Sequence, residues 1–180
     1  MNHFERLGLP GRFSVDAAEL ERSYLALSRG VHPDFHLTGA DADRAASLEA
    51  SALLNEAYTT LKDPFSRAEY LLTLEGGPTA AEFKQLPPGF LAEMLEARER
   101  VEMARGNPAE MAQLATEFET QFEGILKQVR EGFARLASTE ASEASEASNA
   151  PEAANLLTGI RGLLNAAKYV RGLLRDIQAD

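Results

Sequence analysis

From residue 54 the chain reads Leu54-Asn55-Glu56-Ala57-Tyr58-Thr59-Thr60-Leu61, and after Lys62 it continues with Asp63-Pro64 and Arg67-Ala68-Glu69-Tyr70-Leu71-Leu72. The apolar residues recur every three or four positions, which is the spacing of an amphipathic helix. Asp63 followed by Pro64 is typical of an N-cap with proline at the first helical position. The run therefore predicts one helix that ends at Lys62 and a second that extends to Leu74. We expect Leu54, Leu61, Tyr24, Tyr58 and Tyr70 in the core.

The tripeptide His32-Pro33-Asp34 lies between this helix and an earlier one. The earlier helix begins after Asp16, which with Glu19 has the pattern of a capping box, and it ends near Gly30. Pro33 disfavours the helical conformation for His32 and stiffens the connection. The sequence thus predicts a loop from His32 to about Ala40 that presents the Asp34 carboxylate, a group suited to pairing with an arginine of a partner.

Downstream, residues 75–89 contain Glu-Gly-Gly-Pro and Pro-Pro-Gly, which indicate a domain boundary. Three more helices are expected beyond it, over about 90–105, 108–136 and from Pro151, the last with Asn149 as a possible cap. The Ala-Ser-Glu tract at 138–149 has no large apolar residue and is predicted to be a mobile linker. We therefore predict a domain over 1–75, a linker over 76–89 and a three-helix bundle over 90–180.

The composition excludes several classes of protein. The 180 residues include no cysteine, so a disulfide framework, a thiolate metal site and a cysteine nucleophile are all excluded. The formal net charge of −10 argues against nucleic-acid binding, because phosphate backbones repel an acidic chain. The sequence has no signal-peptide pattern and no run of apolar residues long enough to span a membrane, so we expect a cytoplasmic protein without a membrane partner.

Taken together, the features from Asn2 to Leu74 resemble a J domain. Its continuation through Tyr70-Leu71-Leu72 into a Gly-Gly pair, and then through the run from Phe90 to Glu99, resembles HscB, the J-type co-chaperone family of iron–sulfur cluster assembly. The resemblance implies an all-α fold. An N-terminal J domain, an antiparallel helical hairpin with flanking short helices, would join a C-terminal three-helix bundle in an L-shaped arrangement.

The resemblance also implies the function. The J domain would bind a DnaK- or HscA-class chaperone and stimulate its ATPase through His32, Pro33 and Asp34, and the bundle would bind and deliver an IscU-type iron–sulfur scaffold. Both a dedicated and a general chaperone remain open as the partner. Such a protein is not an enzyme and needs no cofactor, and without cysteines it would leave any cluster on the scaffold.

The helix expected from Phe90 carries two apolar rows. Phe90, Met94, Ala97, Val101 and Ala104 are spaced as a core stripe, whereas Leu91 and Leu95 form a second row offset by about 100°. Tyr169 and Leu173 likewise fall off the main stripe of the last helix. The scaffold contacts implied by the resemblance map onto five residues: Leu91, Leu95, Glu96, Glu99 and Tyr169. Ala92 stands where the family usually has a larger apolar residue.

The chaperone-binding face departs from the J-domain pattern. J domains usually present basic residues along the helix that precedes the tripeptide. Here that helix, which begins after Asp16, carries only Arg22 and Arg29, against the three acids Asp16, Glu19 and Glu21. Phe35 follows the tripeptide in place of a lysine or arginine. The zinc-binding cysteines of some eukaryotic relatives are absent, which favours a bacterial-type form.

Other interpretations of these residues exist. The tripeptide could be an ordinary turn, and His32, Asp34 and His36 could ligate a metal, but their spacing is not helical and we expect no metal site. A His/Asp hydrolase is disfavoured, because the sequence has no cysteine and no Gly-x-Ser-x-Gly nucleophile elbow. Leu91 and Leu95 could be buried against the first domain, and Tyr169 could be a core aromatic. A J-domain co-chaperone for general unfolded clients and a helical adaptor without ATPase activation are the alternative functions.

Overall fold

The computed structural model describes residues 1–31, 41–140 and 146–179, and within these ranges every regular element is an α-helix. The helices are α1 (His3–Arg6), α2 (Ala17–Val31), α3 (Asp41–Lys62), α4 (Pro64–Leu74), α5 (Phe90–Ala104), α6 (Pro108–Glu140) and α7 (Glu146–Gln178). The prediction of an all-α chain is confirmed, and the predicted bounds of α3 and the end of α4 agree with the structure. The tripeptide His32-Pro33-Asp34 lies outside the described residues.

The chain divides into two compact units, Met1–Leu71 and Leu72–Asp180, with the division inside α4. In the first unit α1 is closed by a capping box, in which the Asn2 side chain accepts from the Glu5 amide and the Glu5 carboxylate accepts from the Asn2 amide. The short helix thereby places Phe4 and Leu7 in the core, each 1% exposed. The other core residues of this unit come from the segment before α2 and from α2, α3 and α4: Leu9, Phe13, Leu20, Leu54, Ala57, Leu61, Ala68 and Leu71.

The turn between α3 and α4 is fixed by two polar side chains. Oδ2 of Asp63 accepts from the backbone N–H and the hydroxyl of Ser66, which confirms Asp63 as the N-cap of α4. Nη1 of Arg67 donates to the Leu61 carbonyl at 2.6 Å, and the guanidinium lies over the Phe13 ring. Arg67 is therefore buried because it satisfies a carbonyl at the end of α3, which has no helical partner of its own.

The second unit contains three helices packed on one apolar core. The predicted stripe of α5 is confirmed, since Phe90, Met94, Ala97, Val101 and Ala104 are all buried. Long stripes of α6 and α7 pack against it. They comprise Leu114, Phe118, Ile125, Leu126, Val129, Phe133 and Leu136 of α6 and Ile160, Leu164, Ala166, Ala167, Val170, Leu173 and Ile177 of α7.

The prediction of a last helix beginning near Pro151 is wrong, whereas the linker expected at 138–149 stays a prediction. Helix α6 continues to Glu140 and α7 begins at Glu146, so that Pro151 lies inside α7. Residues 141–145 lie outside the described residues. The physical reason is helix propensity: alanine and glutamate are strong helix formers, so a tract without an apolar face can still extend the helices on either side of it.

Residues 75–89 are irregular, but they are held at both ends. Helix α4 ends in a Schellman motif, in which Gly76 has a φ of +71° and the Gly77 amide donates to the Leu72 carbonyl at 2.8 Å. Further along, the side-chain amide of Asn165 in α7 donates to the carbonyls of Phe83 and Gln85. The segment is thus anchored on α7 within the second unit.

Candidate functional site

The helical hairpin of α2 and α3 frames the segment that contains the tripeptide. The Tyr24 hydroxyl donates to the Asn55 side chain at 2.8 Å, and the rings of Tyr24 and Tyr58 stack at 4.1 Å. Near the other end of α2 the Ser47 hydroxyl donates to the Val31 carbonyl at 2.7 Å. Since higher positions on α2 pair with lower ones on α3, the two helices are antiparallel, as predicted.

The three tyrosines of this unit are half-buried, which differs from the expected core positions. Leu54 and Leu61 are buried as expected. For Tyr24 and Tyr70 the difference has a polar cause, because the Tyr24 hydroxyl donates to Asn55 and that of Tyr70 accepts from the His3 amide. A tyrosine whose hydroxyl has a partner near the surface keeps its ring only partly covered.

Arg22 and Arg29, the basic residues predicted to face a chaperone, are both exposed on α2. They are seven residues apart, which places them two turns apart on one face of the helix. That face therefore runs along α2 toward Val31, the last residue before the tripeptide.

The row of α5 predicted to bind the scaffold lies on the surface. Leu91 and Leu95 are each 63% exposed, and Glu96 and Glu99 beside them are exposed as well. Four-residue spacing continues the row to Met103, which is 77% exposed. The row predicted from the sequence ends at Leu95 and omits Met103, although the four-residue spacing of Leu91, Leu95, Glu99 and Met103 indicates it.

The end of this row lines a shallow hollow of about 450 Å³, formed by Leu95, Arg98, Glu99, Glu102 and Met103. The structure thus brings Leu95 and Glu99 to one place and adds three neighbours from the same helix. The hollow offers apolar contact from Leu95 and Met103 and carboxylates from Glu99 and Glu102. Such an apolar patch with a charged rim is typical of a protein-binding surface.

Tyr169 of α7 is half-exposed and meets α5 through Phe90, with the ring centroids 6.4 Å apart in an edge-on arrangement. Phe90 precedes Leu91, so the tyrosine lies near the start of the exposed row. Leu173, which is predicted with Tyr169 to fall off the main stripe, is buried instead. It follows Tyr169 by four residues, so the two side chains lie on the same side of α7, one at the surface and one in the core.

One ion pair joins α5 to its neighbour. Arg100 donates to both carboxylate oxygens of Glu117 in α6, at 2.7 and 2.6 Å. Hydrogen bonding to Arg100 lowers the pKa of the Glu117 carboxyl and raises the pKa of the Arg100 guanidinium. The pair is exposed to solvent and contributes little stability, and its two parallel hydrogen bonds join α5, the helix that carries the exposed row, to α6.

No group of three or more histidine or acidic side chains suited to a metal ion occurs in the described ranges. The metal alternative for His32, Asp34 and His36 lies outside them. Among the helices of the described ranges, none is long and apolar enough to cross a membrane.

The sequence is similar to several proteins named co-chaperone protein HscB homolog. A relative from Vibrio cholerae is 45% identical over 103 residues, which is 57% of this chain and 60% of the relative, so the match spans less than two thirds of that protein. A relative from Bordetella petrii is 37% identical over 136 residues, covering 75% of this chain and 78% of the relative. A family model described as HSCB C-terminal oligomerisation domain matches residues 86–171.

Solved structures agree with these matches. The chaperone HscB from Vibrio cholerae superposes with a TM-score of 0.74 at 30% identity, covering 99% of this chain and 96% of that one. The human co-chaperone protein HscB gives a TM-score of 0.76 at 26% identity, covering 99% of this chain and 81% of that one. The fold is accordingly a J domain followed by a C-terminal helical domain, and the chain belongs to the HscB co-chaperone family.

Proposed function

We propose that this protein stimulates the ATPase of a DnaK- or HscA-class chaperone through His32, Pro33 and Asp34, and delivers to it an IscU-type iron–sulfur scaffold held by the C-terminal helices. In this proposal residues 1–75 act on the chaperone and residues 90–180 bind the scaffold. The protein works by binding and carries out no catalysis itself. The observation that carries the proposal is the exposed row Leu91–Leu95 with its acidic border on α5.

The proposed action on the chaperone is supported by the contacts within the α2–α3 hairpin. The contacts of Tyr24 with Asn55 and Tyr58, and of Ser47 with Val31, fix α2 and α3 against each other on both sides of the tripeptide. A rigid frame of this kind lowers the ordering cost of a loop that must meet a partner in one geometry. Arg22 and Arg29 add positive charge on the same helix and would steer a partner with an acidic surface.

The proposed binding of the scaffold is supported by the pattern of burial along α5. The core stripe of α5 is buried against α6 and α7, whereas Leu91, Leu95 and Met103 remain exposed and take no part in that core. Covering a leucine side chain completely is worth about 1.5–3 kcal/mol. Two leucines and a methionine on one face can therefore supply the apolar centre of a protein interface, and Glu96 and Glu99 its polar rim.

The chaperone half is tested with Asp34→Asn in the full chain. We expect this variant to lose stimulation of the chaperone ATPase in a steady-state phosphate-release assay, because the amide cannot replace the charge that pairs with arginine. Asp176→Asn, an exposed residue of α7, is the matched control and should stimulate normally. Full stimulation by Asp34→Asn with unchanged helicity in circular dichroism would refute the assignment of the tripeptide.

The scaffold half is tested with the double variant Leu91→Ala and Leu95→Ala by calorimetric titration against an IscU-type scaffold. A loss of about 2–4 kcal/mol, or at least thirtyfold in Kd, is expected if both leucines are covered in the complex. Leu48→Ala is the control, since Leu48 is 59% exposed but lies on α3. An unchanged scaffold affinity in the double variant would contradict the assignment of Leu91 and Leu95 to scaffold binding. It would not affect the assignment of the tripeptide to ATPase stimulation.

A further inference from the structure

A groove runs between α5 and α7 and is closed on one side by the irregular segment around residues 80–84. Its volume is about 590 Å³, within the range of about 300–1,000 Å³ that is usual for ligand sites. Met94 of α5 and Leu173 of α7 are buried and contribute their edges to its floor, and the half-exposed Tyr169 forms part of a wall. The groove therefore has an apolar base and an aromatic side.

The rim of the groove is basic. Lys84, Arg98, Lys168 and Arg175 line it, and Asp176 is the acidic residue among the lining side chains. In the part of the chain that the structure describes, none of these four cations forms an ion pair. This concentration of positive charge contrasts with the formal net charge of −10 for the whole chain.

The position of these charges follows from the helical repeat. Lys168, Gly172 and Arg175 are spaced by four and three residues, which places them along one face of α7. Gly172 lies between the two cations, and a Cβ atom added there would meet no atom within 4 Å. The absence of a side chain at this position leaves the centre of the groove open between two positive charges.

We propose that this groove binds a short acidic peptide segment that carries an apolar residue among its carboxylates. The apolar residue would cover Met94 and Leu173, and the carboxylates would pair with the arginines and lysines of the rim. An arginine guanidinium can hold a carboxylate through two parallel hydrogen bonds, which gives such pairs geometric specificity. The segment comes from a partner protein, because the lining of the groove offers one carboxylate, that of Asp176, against four cations.

A peptide fits the groove better than a nucleic acid does. The apolar base has no use for a sugar–phosphate backbone, and a long polyanion would extend over surfaces of an acidic chain. Charges separated by more than about 8–10 Å are largely screened at physiological salt, so the four cations act locally and favour a ligand of the groove's own length.

Arg98 connects the groove to the surface described above, because it also lines the hollow with Leu95 and Met103. The proposal concerns the groove itself and does not depend on the identity of the partner that binds Leu91 and Leu95. The peptide experiment below uses neither the scaffold nor the chaperone, so its failure leaves the proposed function untouched.

The test is fluorescence anisotropy of the full chain with a labelled peptide Glu-Glu-Leu-Glu-Glu, compared with its analogue Gln-Gln-Leu-Gln-Gln. We expect the acidic peptide alone to bind, with an affinity that falls as salt is raised from 50 to 300 mM. The double variant Lys168→Glu and Arg175→Glu should weaken binding by about tenfold or more, since hydrogen bonds between charged groups are lost. Gly172→Leu should also weaken it, because the added side chain would occupy the open centre of the groove.

The matched control is Lys127→Glu with Arg130→Glu, which reverses two exposed cations of α6 outside the groove. It should bind the acidic peptide like the unmodified chain. Equal binding of both peptides, or an equal loss in the control, would overturn the proposal. Displacement of the peptide by inorganic phosphate at similar concentration would reduce the groove to a simple anion site, and displacement by a single-stranded oligonucleotide would assign it to nucleic acid instead. Either result would also overturn it.

Discussion

Gly132 of α6 faces Ile160 of α7 so closely that a Cβ atom added to the glycine would stand 2.8 Å from Cγ1 of the isoleucine. Ile160 is only 1% exposed and has little room to move. The two longest helices of the C-terminal domain therefore approach each other where one of them has no side chain. The buried residues Val129 and Phe133 of α6 and Leu164 of α7 lie near this contact in sequence, so it falls within the apolar core of the domain.

Replacing Gly132 with alanine should therefore destabilise the C-terminal domain. In an exposed helix the same change stabilises by about 0.5–1 kcal/mol, but overpacking a core costs about 1–3 kcal/mol. Gly124→Ala is the matched control on the same helix, because a Cβ there meets no atom within 4 Å. Urea unfolding should show a loss of stability for Gly132→Ala and a gain for Gly124→Ala. A gain in both variants would show that α6 and α7 can separate without cost.

Helix positions could largely be predicted from the sequence because local signals define them. Asp63 and Pro64 fix the start of α4, and the three- and four-residue spacing of Phe90, Met94 and Ala97 fixes the buried face of α5. The start of α7 could not be predicted in this way. A proline such as Pro151 normally marks the first position of a helix. Here the helix propensity of the preceding alanines and glutamates extends α7 toward the N-terminus, so that it begins at Glu146.

The candidate site was predictable only in part, for a related reason. The exposure of Leu91 and Leu95 follows from their place on a helix whose opposite face is the core. Predicting Met103 requires knowing how far the exposed surface of α5 extends. Predicting the basic groove requires knowing how α5 packs against α7, because Arg98 and Lys168 are distant in sequence. Residues that come together only through tertiary packing leave no local pattern.

Asn165 anchors the irregular segment, and its loss should release it. The side chain is 8% exposed, donates to the carbonyls of Phe83 and Gln85, and accepts from Nε of the buried Arg161 at 3.1 Å. Asn165→Leu leaves these groups without this partner, at a cost of about 1–3 kcal/mol for each buried group that finds no other. We expect faster tryptic cleavage after Lys84, which lies between the two anchored carbonyls.

The control for that experiment is Asn107→Leu, which removes an N-cap of α6 away from the segment. It should lower stability by about 1 kcal/mol without a selective increase in cleavage after Lys84. If both variants accelerate cleavage at Lys84 equally, then Asn165 does not anchor the segment and the effect reflects general destabilisation.

His3 makes the stability of the J domain depend on pH. Its ring stacks on Tyr70 with the centroids 4.1 Å apart, and burial lowers the pKa of the imidazole below its usual 6.5, against an opposing effect of Glu56 and with a further lowering by Arg6. The folded state thus favours the neutral ring, whereas the unfolded chain binds a proton near pH 6.5. The contribution of His3 is fully present above pH 6.5 and is lost as the pH falls through the folded-state pKa.

Proton NMR titration of the full chain should therefore give His3 a pKa below 6.5, and His3→Gln should lose less stability between pH 7.5 and pH 5.5 than the unmodified chain. Glu56→Gln should lower the pKa of His3 further, because the carboxylate favours the protonated ring. A pKa of His3 at or above 6.5, or an unchanged pH dependence in His3→Gln, would show that the stacked ring is not protected from protonation.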